Sequence, residues 1–218
     1  MCGITGFIQN GGGSRDELSQ RCQRMADTIA HRGPDAGGVW VDAADPLAPG
    51  HRRLSIIDLS DAGAQPMVSA SGRYVLSFNG EVYNFPRLRE QTGVSAYPFK
   101  GHSDTEVILA AVQHLGVEGA ISKLEGMFAL ALWDREERCL WLARDRVGKK
   151  PLYYGWCGNS FLFGSELKAL RQHPDFEREL DRNALGQYLQ YGWVSQPLSI
   201  YKKVRKLPPG SLLKIAQD

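Results

Sequence analysis

Short apolar runs separated by polar turns recur along this chain of 218 residues. Two helix starts stand out, because Ser14 with Glu17 and Ser103 with Glu106 have the spacing of a capping box. The first helix is predicted to run to about Ala30, and the second has apolar residues at helical spacing up to position 115. Strands are predicted at Ile4–Ile8, Gly38–Val41, His51–Ile57, Tyr74–Phe78, Phe128–Trp133, Cys139–Ala143, Leu152–Trp156, Phe161–Phe163 and Leu212–Ile215.

The connections between the later strands are short and turn-like, which favours antiparallel pairing. Two more helices are predicted, at Ser165–His173 and Asp181–Tyr191. Runs of strands with helices set apart from them predict an α+β layered domain rather than a doubly wound parallel sheet.

Composition narrows the class of protein without indicating a function. Hydrophobic residues make up 43% and charged residues 23% of the chain, which is typical of a globular protein with a large core. The net charge of +2 gives no electrostatic reason to expect nucleic acid or an anionic membrane as a partner. No apolar run approaches the roughly 20 residues of a membrane span, and the N-terminus does not resemble a signal peptide.

Four cysteines are scattered along the chain, at Cys2, Cys22, Cys139 and Cys157. None belongs to a Cys-x-x-Cys pair and no histidine stands at zinc-finger spacing, so a metal site is not expected. This usage is typical of a reduced, cytoplasmic protein rather than of a disulfide framework. Cys22 shares the apolar face of the first helix and is predicted to be buried in the core.

Cys2 is the cysteine with a chemical interpretation. Removal of Met1 would place a thiol and a free α-amine on one residue. An α-amine titrates near pH ~8, so Cys2 could supply both a nucleophile and its general base. A cysteine at position two also occurs by chance, and this feature alone does not decide between the two interpretations.

Three further polar features each have a structural and a chemical interpretation. Asn79-Gly80-Glu81 follows an apolar strand, either as a hairpin turn or as a pair of oxyanion donors made by an amide and a backbone N–H. Arg53 lies at the end of an apolar run, where an arginine ordinarily reaches solvent. Asp104 stands in the first turn of the second helix, where it is favourable for the helix dipole whether or not it binds a ligand.

Nine short motifs of the chain resemble motifs of one protein family and occur in the same order as in that family. They are residues 1–4, 31–35, 53–58, 64–67, 79–84, 103–106, 126–129, 144–148 and 165–168. Together they span nearly the whole chain, which resembles the glutaminase domain of class II glutamine amidotransferases, a branch of the N-terminal-nucleophile hydrolases. More narrowly, it resembles the N-terminal half of glutamine-hydrolysing asparagine synthetases. The resemblance implies a four-layer αββα sandwich of two antiparallel sheets.

The resemblance also implies a role for each candidate residue in the hydrolysis of L-glutamine to L-glutamate and ammonia. Cys2 would form a γ-glutamyl thioester, and the side chain of Asn79 with the N–H of Gly80 would stabilise the oxyanion. Arg53 would bind the substrate α-carboxylate, because a guanidinium matches carboxylate geometry. The α-ammonium would lie against Glu81 and Asp104. Backbone groups of the adjoining segment would also contact the ligand, at Leu54, Ser55, Ile56 and Ile57.

The family couples this ammonia to a synthetase domain that adenylates aspartate with ATP and Mg²⁺. No Ser-Gly-Gly-x-Asp-Ser pyrophosphate loop occurs here, so no cofactor or metal is expected in this chain. We expect residues 1–200 to form the glutaminase domain and residues 201–218 to lead towards a synthetase domain, in a fragment or in a free-standing unit that serves a separate subunit. Expected partners are L-glutamine and that synthetase, with a homodimer left open.

Two alternatives stay open at this point. The chain could be a non-catalytic module that senses glutamine, or an N-terminal-nucleophile amidohydrolase of another amide. The ammonia acceptor is also open, because aspartate or a related acid would serve.

Overall fold

The computed structural model describes residues 1–91 and 93–216, whose backbone forms strands β1–β11 and helices α1–α5. The strands are β1 (Gly3–Gln9), β2 (Ala36–Val39), β3 (Leu47–Arg53), β4 (Met67–Val68), β5 (Tyr74–Val82), β6 (Gly126–Asp134), β7 (Cys139–Arg144), β8 (Tyr153–Cys157), β9 (Ser160–Gly164), β10 (Arg205–Lys206) and β11 (Leu212–Ala216). The helices are α1 (Arg15–Asp27), α2 (Phe85–Arg89), α3 (Asp104–Lys123), α4 (Leu167–Leu170) and α5 (Arg182–Tyr191). None of the described helices is both long and apolar enough to cross a bilayer.

The strands form two sheets, with the orders β10-β8-β9-β1-β3-β2 and β11-β7-β6-β5-β4. The neighbouring strands in both sheets pair antiparallel. The predicted α+β fold with two antiparallel sheets is therefore confirmed. The described part of the segment after residue 200 contributes one strand to each sheet, and the domain boundary at 200 stays a prediction.

Three apolar layers show how the sheets and helices stack. Ile4 and Phe163 of one sheet meet Trp133 of the other in a core between the sheets. The helix α3 covers the outer face of the β5–β6–β7 sheet, and α1 with α4 covers the outer face of the β1–β3 sheet. This order of layers is the αββα sandwich that the resemblance implied.

The alternation of side chains along β5 and β6 places each strand between two cores. Leu76 and Phe78 pack against α3, while Val75 faces the other sheet. Because successive side chains of a strand point to opposite faces, a strand buried on both sides is apolar at nearly every position. This explains why the runs in the sequence are continuous rather than alternating.

Both predicted helix starts are confirmed. Ser14 and Glu17 form the two reciprocal bonds of a capping box at the start of α1. Ser103 caps α3 by accepting from the N–H of Glu106, whose carboxylate accepts instead from the backbone of Lys100 and Gly101 at 2.8 and 2.9 Å. The helix predicted at 165–173 is shorter, and α2 was not predicted.

The prediction for the third strand was wrong in its bounds. β3 runs over Leu47–Arg53 rather than 51–57, because Pro49 and Gly50 lie inside a paired strand instead of breaking it. A side chain at Gly50 would approach Cys22 Sγ of α1 to 2.9 Å, so glycine lets the helix lie close to the sheet. Residues 54–57 leave the sheet as a loop. β5 is longer than predicted and continues through Asn79 and Gly80, which excludes a hairpin turn there.

Candidate active site

The first strand begins where the third strand ends, and this places Cys2 beside Leu54. In the antiparallel register Gly3 lies opposite Arg52, so the residues just outside both strands are neighbours. The N–H of Leu54 donates to Cys2 Sγ at 3.3 Å, and the thiol donates to Leu54 O at 3.6 Å. These two contacts fix the position of the Cys2 sulfur at the end of β3.

Two motifs without an assigned role fix the backbone of Cys2. Arg32 donates from Nε to the carbonyl oxygen of Cys2 at 3.0 Å and from Nη1 to Glu166 at 2.9 Å. The guanidinium thus links the start of β1 to the segment before α4. A side chain at Gly33 would collide with the backbone of Arg52, which explains the glycine that follows Arg32.

A cleft opens at this junction, and nine of the ten candidate residues line it. They are Cys2, Arg53, Leu54, Ile56, Ile57, Asn79, Gly80, Glu81 and Asp104. The exception is Ser55, which is not among the lining residues and whose N–H donates to Asp35 Oδ2 at 2.8 Å. The structure therefore brings together side chains that are up to about a hundred positions apart in sequence.

The edge of β5 beyond β4 is closed by side chains rather than by another strand. The N–H of Phe78 donates to Gln65 Oε1 at 2.7 Å, and the carbonyl of Phe78 accepts from His51 Nε2 at 3.0 Å. Burial lowers the pKa of His51 to about 4, so the ring is neutral at physiological pH. These bonds show that the backbone groups of Phe78 point away from β6.

In an antiparallel strand the backbone groups of residues two apart point to the same side, so those of Gly80 and Val82 also face this edge. The N–H of Val82 donates to Asp104 Oδ2 at 3.0 Å. Gly80, between these closed positions, directs its N–H towards the cleft. A side chain at Gly80 would come within 2.7 Å of the Cα and Cβ of Phe128 on β6, so only glycine allows this close pairing.

The side chain of Asn79 is the most unusual group in the cleft. It is 1% exposed, and neither Oδ1 nor Nδ2 has a hydrogen-bond partner among residues 1–91 and 93–216. A buried polar group without a partner costs about 1–3 kcal/mol, so such groups are rare unless a ligand satisfies them. Asn79 Nδ2 and the Gly80 N–H have the makeup of an oxyanion hole next to the Cys2 thiol.

Arg53 does not reach solvent from its strand end, as the structural interpretation of the sequence would have it. It is 9% exposed and donates to the carbonyls of Ser60, at 2.9 Å, and of Asp58. A side chain at Gly63 would overlap the guanidinium. Arg53 therefore presents a fixed positive charge to the cleft, which suits a carboxylate ligand.

Asp104 and Glu81 give the opposite charge. Asp104 is 5% exposed, and burial raises its pKa, as does the negative charge of Glu81. The N–H groups of Val82 and Thr105 oppose this rise. Because two nearby negative charges repel each other, a site with both carboxylates favours the binding of a cation. With Arg53 they match the two charges of an α-amino acid.

The loop of residues 54–60 is tied to the start of α3 through Asp58. Its carboxylate accepts from the N–H of His102 at 3.0 Å and from the N–H and hydroxyl of Ser60 at 2.9 and 2.6 Å. The bond from His102 is the largest cause that lowers the pKa of Asp58 to about 2. This tie holds the loop over the cleft.

Several cleft residues were missed by sequence reasoning. Gln65 bridges Phe78 to Thr105 and so joins β5 to α3. Asp58, Met127 and Lys150 also line the cleft. Gln65 and Asp58 belong to motifs of the family resemblance, but their spacing in the sequence does not predict these contacts. For Lys150 the only sequence signal was its position two residues after the Arg144–Gly148 motif. No cluster of metal-ligating side chains is found in residues 1–91 and 93–216.

Comparison with known proteins agrees with this geometry. A family model described as a glutamine amidotransferase domain matches residues 1–218. The chain belongs to this family. Glutamine-hydrolyzing asparagine synthetase 3 of Bacillus subtilis is 37% identical over 224 residues, which cover 100% of this chain and 35% of that protein. Synthetase 1 of the same organism is 39% identical over 219 residues, covering 100% of this chain and 34% of its own length.

This amidotransferase domain thus spans about a third of the length of these curated relatives. Among solved structures, glutamine phosphoribosylpyrophosphate amidotransferase of Bacillus subtilis superposes with a TM-score of 0.71 at 20% identity. That superposition covers 99% of this chain and 47% of the other. At this identity the likeness supports the fold alone, and it agrees with the two-sheet architecture of the amidotransferase domain.

Proposed function

We propose that this amidotransferase domain hydrolyses L-glutamine to L-glutamate and ammonia through a thioester on Cys2. Arg53 binds the substrate α-carboxylate, and Glu81 with Asp104 binds the α-ammonium. These charges orient the side-chain amide towards the thiol. Leu54, Ile56 and Ile57 complete the wall of the cleft, while Ser55 holds this segment in place through its bond to Asp35.

The chemical steps follow from the groups around Cys2. Once Met1 is removed, the free α-amine takes the thiol proton, directly or through water, and the thiolate attacks the amide carbon. The oxyanion that forms accepts hydrogen bonds from Asn79 Nδ2 and the Gly80 N–H. Its collapse breaks the C–N bond, and the protonated amine gives its proton to the departing ammonia. Water then hydrolyses the thioester, which releases glutamate and restores the thiol.

The observation that carries this proposal is the unpartnered Asn79 amide beside the thiol. A cleft that only sensed glutamine would need the charged residues but no buried donor at the position of a developing oxyanion. Loss of one oxyanion donor typically lowers the catalytic rate by about 10²–10³-fold. This gain in rate accounts for a buried amide donor that destabilises the fold.

The test is glutamate release from L-glutamine by protein whose intact mass shows that Met1 is absent. We expect turnover by the wild type and none by Cys2→Ala, which retains the fold because a half-buried thiol is replaced by a methyl group. Binding of glutamine without turnover would support a sensor instead. Turnover of other amides but not of glutamine would support a different amidohydrolase.

We also propose that the released ammonia is used to amidate a carboxylic acid. The two Bacillus subtilis relatives are named as glutamine-hydrolyzing asparagine synthetases, which favours aspartate as the acceptor. The amidating step would need ATP and Mg²⁺ in a synthetase domain or subunit, and that partner is also proposed. All four cysteines are free thiols, which suits the cytoplasmic location that we propose.

A further inference from the structure

Lys150 is a buried cation in the wall of the cleft that has no role in the mechanism above. It is 4% exposed and lines the cleft together with Cys2, Glu81 and Met127. Lysine is almost never fully buried unless it is paired. Among the described ion pairs none includes Lys150. Its ammonium therefore has no ion-pair partner among the described residues, and it shares the cleft with the Cys2 nucleophile.

A dedicated backbone arrangement presents this lysine. Asp145 is completely buried and accepts from the N–H of Lys150 at 3.0 Å and of Lys149 at 2.9 Å. Arg144 donates from Nε to the carbonyl of Lys150 at 2.7 Å and from Nη1 to Leu207 O at 2.6 Å. The Arg-Asp motif at 144–145 thus fixes both backbone groups of Lys150.

The charges that face Lys150 come from several elements. Burial lowers the pKa of Lys150, and the nearby guanidinium of Arg32 lowers it further. Cys2 and Glu81 act in the opposite direction, because a negative charge on either favours the ammonium, while exposed Lys149 adds to the lowering. The effect is mutual, so the ammonium of Lys150 favours negative charge on the sulfur of Cys2.

We propose that Lys150 is a positioning residue for the nucleophile, whose buried positive charge stabilises the thiolate that forms when the α-amine of Cys2 takes the thiol proton. A neighbouring cation is one of the ordinary means by which proteins make a cysteine reactive. The proposal rests on the function proposed above, because it assigns Lys150 a part in activating that thiol. It also assigns a role to Arg144 and Asp145 of the motif at 144–148, which hold the backbone of Lys150 so that this lysine lines the cleft with Cys2.

The thiol itself offers a readout that does not depend on turnover. Cys22, Cys139 and Cys157 are buried, and burial raises the pKa of each, so iodoacetamide should alkylate Cys2 selectively. The rate of alkylation is measured against pH in mass-verified protein without Met1, with Cys2→Ala as the blank. The other charged groups around the cleft are the same in the wild type and in every Lys150 variant: Arg32, Arg53, Asp58, Glu81, Asp104 and Glu166.

Lys150→Met removes the charge and keeps an unbranched chain of similar length. We expect the pH midpoint of alkylation to rise by about one unit and the acidic limb of kcat/KM to move in the same direction. Lys150→Arg should restore most of the wild-type midpoint. The matched control is Lys149→Met, which makes the same chemical change at an exposed neighbour and should leave the midpoint unchanged.

Three results would overturn the proposal. One is an alkylation midpoint for Lys150→Met within about 0.2 units of the wild type, in protein that turns over glutamine. Another is a raised KM with unchanged midpoint and kcat, which would make Lys150 a substrate-binding group. The third is an equal shift in Lys149→Met. If Lys150→Met does not fold, Lys150→Gln serves as the uncharged variant. A wild type without glutaminase activity would instead refute the proposed function.

Discussion

Gly80→Ala offers the sharpest test of the oxyanion hole, because one methyl group perturbs it without removing any polar atom. The added Cβ would lie 2.7 Å from both the Cα and the Cβ of Phe128, and against Met127 O. Ordinary contact begins near 3.4 Å, so β5 has to move away from β6 by at least roughly 0.7 Å at this point. Two of these neighbours are backbone atoms of the central strand β6 and the third is a Cβ fixed to that backbone, so none of them can swing aside.

That displacement moves the Gly80 N–H and the Asn79 amide relative to Cys2. Misplacement by about 1 Å can cost about 10²-fold in rate, and loss of an oxyanion donor costs about 10²–10³-fold, or about 2.7–4 kcal/mol. Overpacking adds about 1–3 kcal/mol of destabilisation. We therefore expect kcat for glutamine to fall at least about 10²-fold, with a clearly lower urea midpoint but a folded protein.

The assay compares kcat and the urea midpoint with those of Gly186→Ala. Gly186 lies within the exposed helix α5, and a Cβ added there would meet no atom of the described part of the chain within 4 Å. The same change there should stabilise the protein by about 0.5–1 kcal/mol and leave kcat unchanged. A Gly80→Ala enzyme with kcat within about threefold of the wild type would show that this N–H does not hold the oxyanion.

Three other substitutions test the rest of the cleft. Asn79→Ala should lower kcat about 10²–10³-fold without lowering the urea midpoint, because no described residue is a hydrogen-bond partner of its amide; full activity would remove Asn79 from the oxyanion hole. Asp104→Asn should raise KM, because it removes a negative charge from the proposed ammonium site. It should also raise the thermal midpoint, by about 2–4 °C for each kcal/mol gained, because burial disfavours the carboxylate while the amide oxygen still accepts from the N–H of Val82. A lower thermal midpoint would contradict this. Asp58→Asn should be less stable than the wild type at neutral pH. The pKa of Asp58 in the fold is about 2, below its usual 3.8. The stability that the charged carboxylate contributes is therefore present above pH 3.8 and is lost as the pH falls from 3.8 to 2. If the urea midpoints of the wild type and Asp58→Asn differ by the same amount at about pH 6 and at about pH 3, this prediction is refuted.

Local signals in the sequence predicted much of the fold. The caps at Ser14 and Ser103 depend on neighbours three residues away, and both were found where expected. The bounds of β3 failed because Pro49 and Gly50 are breakers in isolation. In the sheet, Gly50 is required by the approach of α1, and that contact lies between residues 28 positions apart. Tertiary packing overrode a correct local preference.

The candidate site was predicted by the order of its motifs rather than by the chemistry of any one residue. Asn79-Gly80 has the commonest hairpin signal, and only the partners of β5 show why it continues as a strand. Lys150 was hidden beside Lys149, since two adjacent lysines look like solvent-exposed charge. Its burial depends on bonds from Arg144 and Asp145. A sequence pattern does not report which of two neighbours turns inward.

The edge of β5 also bears on how this protein behaves among other chains. A free strand edge invites a foreign strand, which needs donors and acceptors at every second residue. On this edge of β5 the backbone of Phe78 is bonded to Gln65 and His51, and the N–H of Val82 is bonded to Asp104. Only the backbone of Gly80, between them, is open to a ligand along this stretch of the edge. A single oxygen of a small ligand can reach that N–H, whereas a peptide strand finds nothing to continue its ladder. The cleft can therefore stay open to solvent without becoming a template for aggregation.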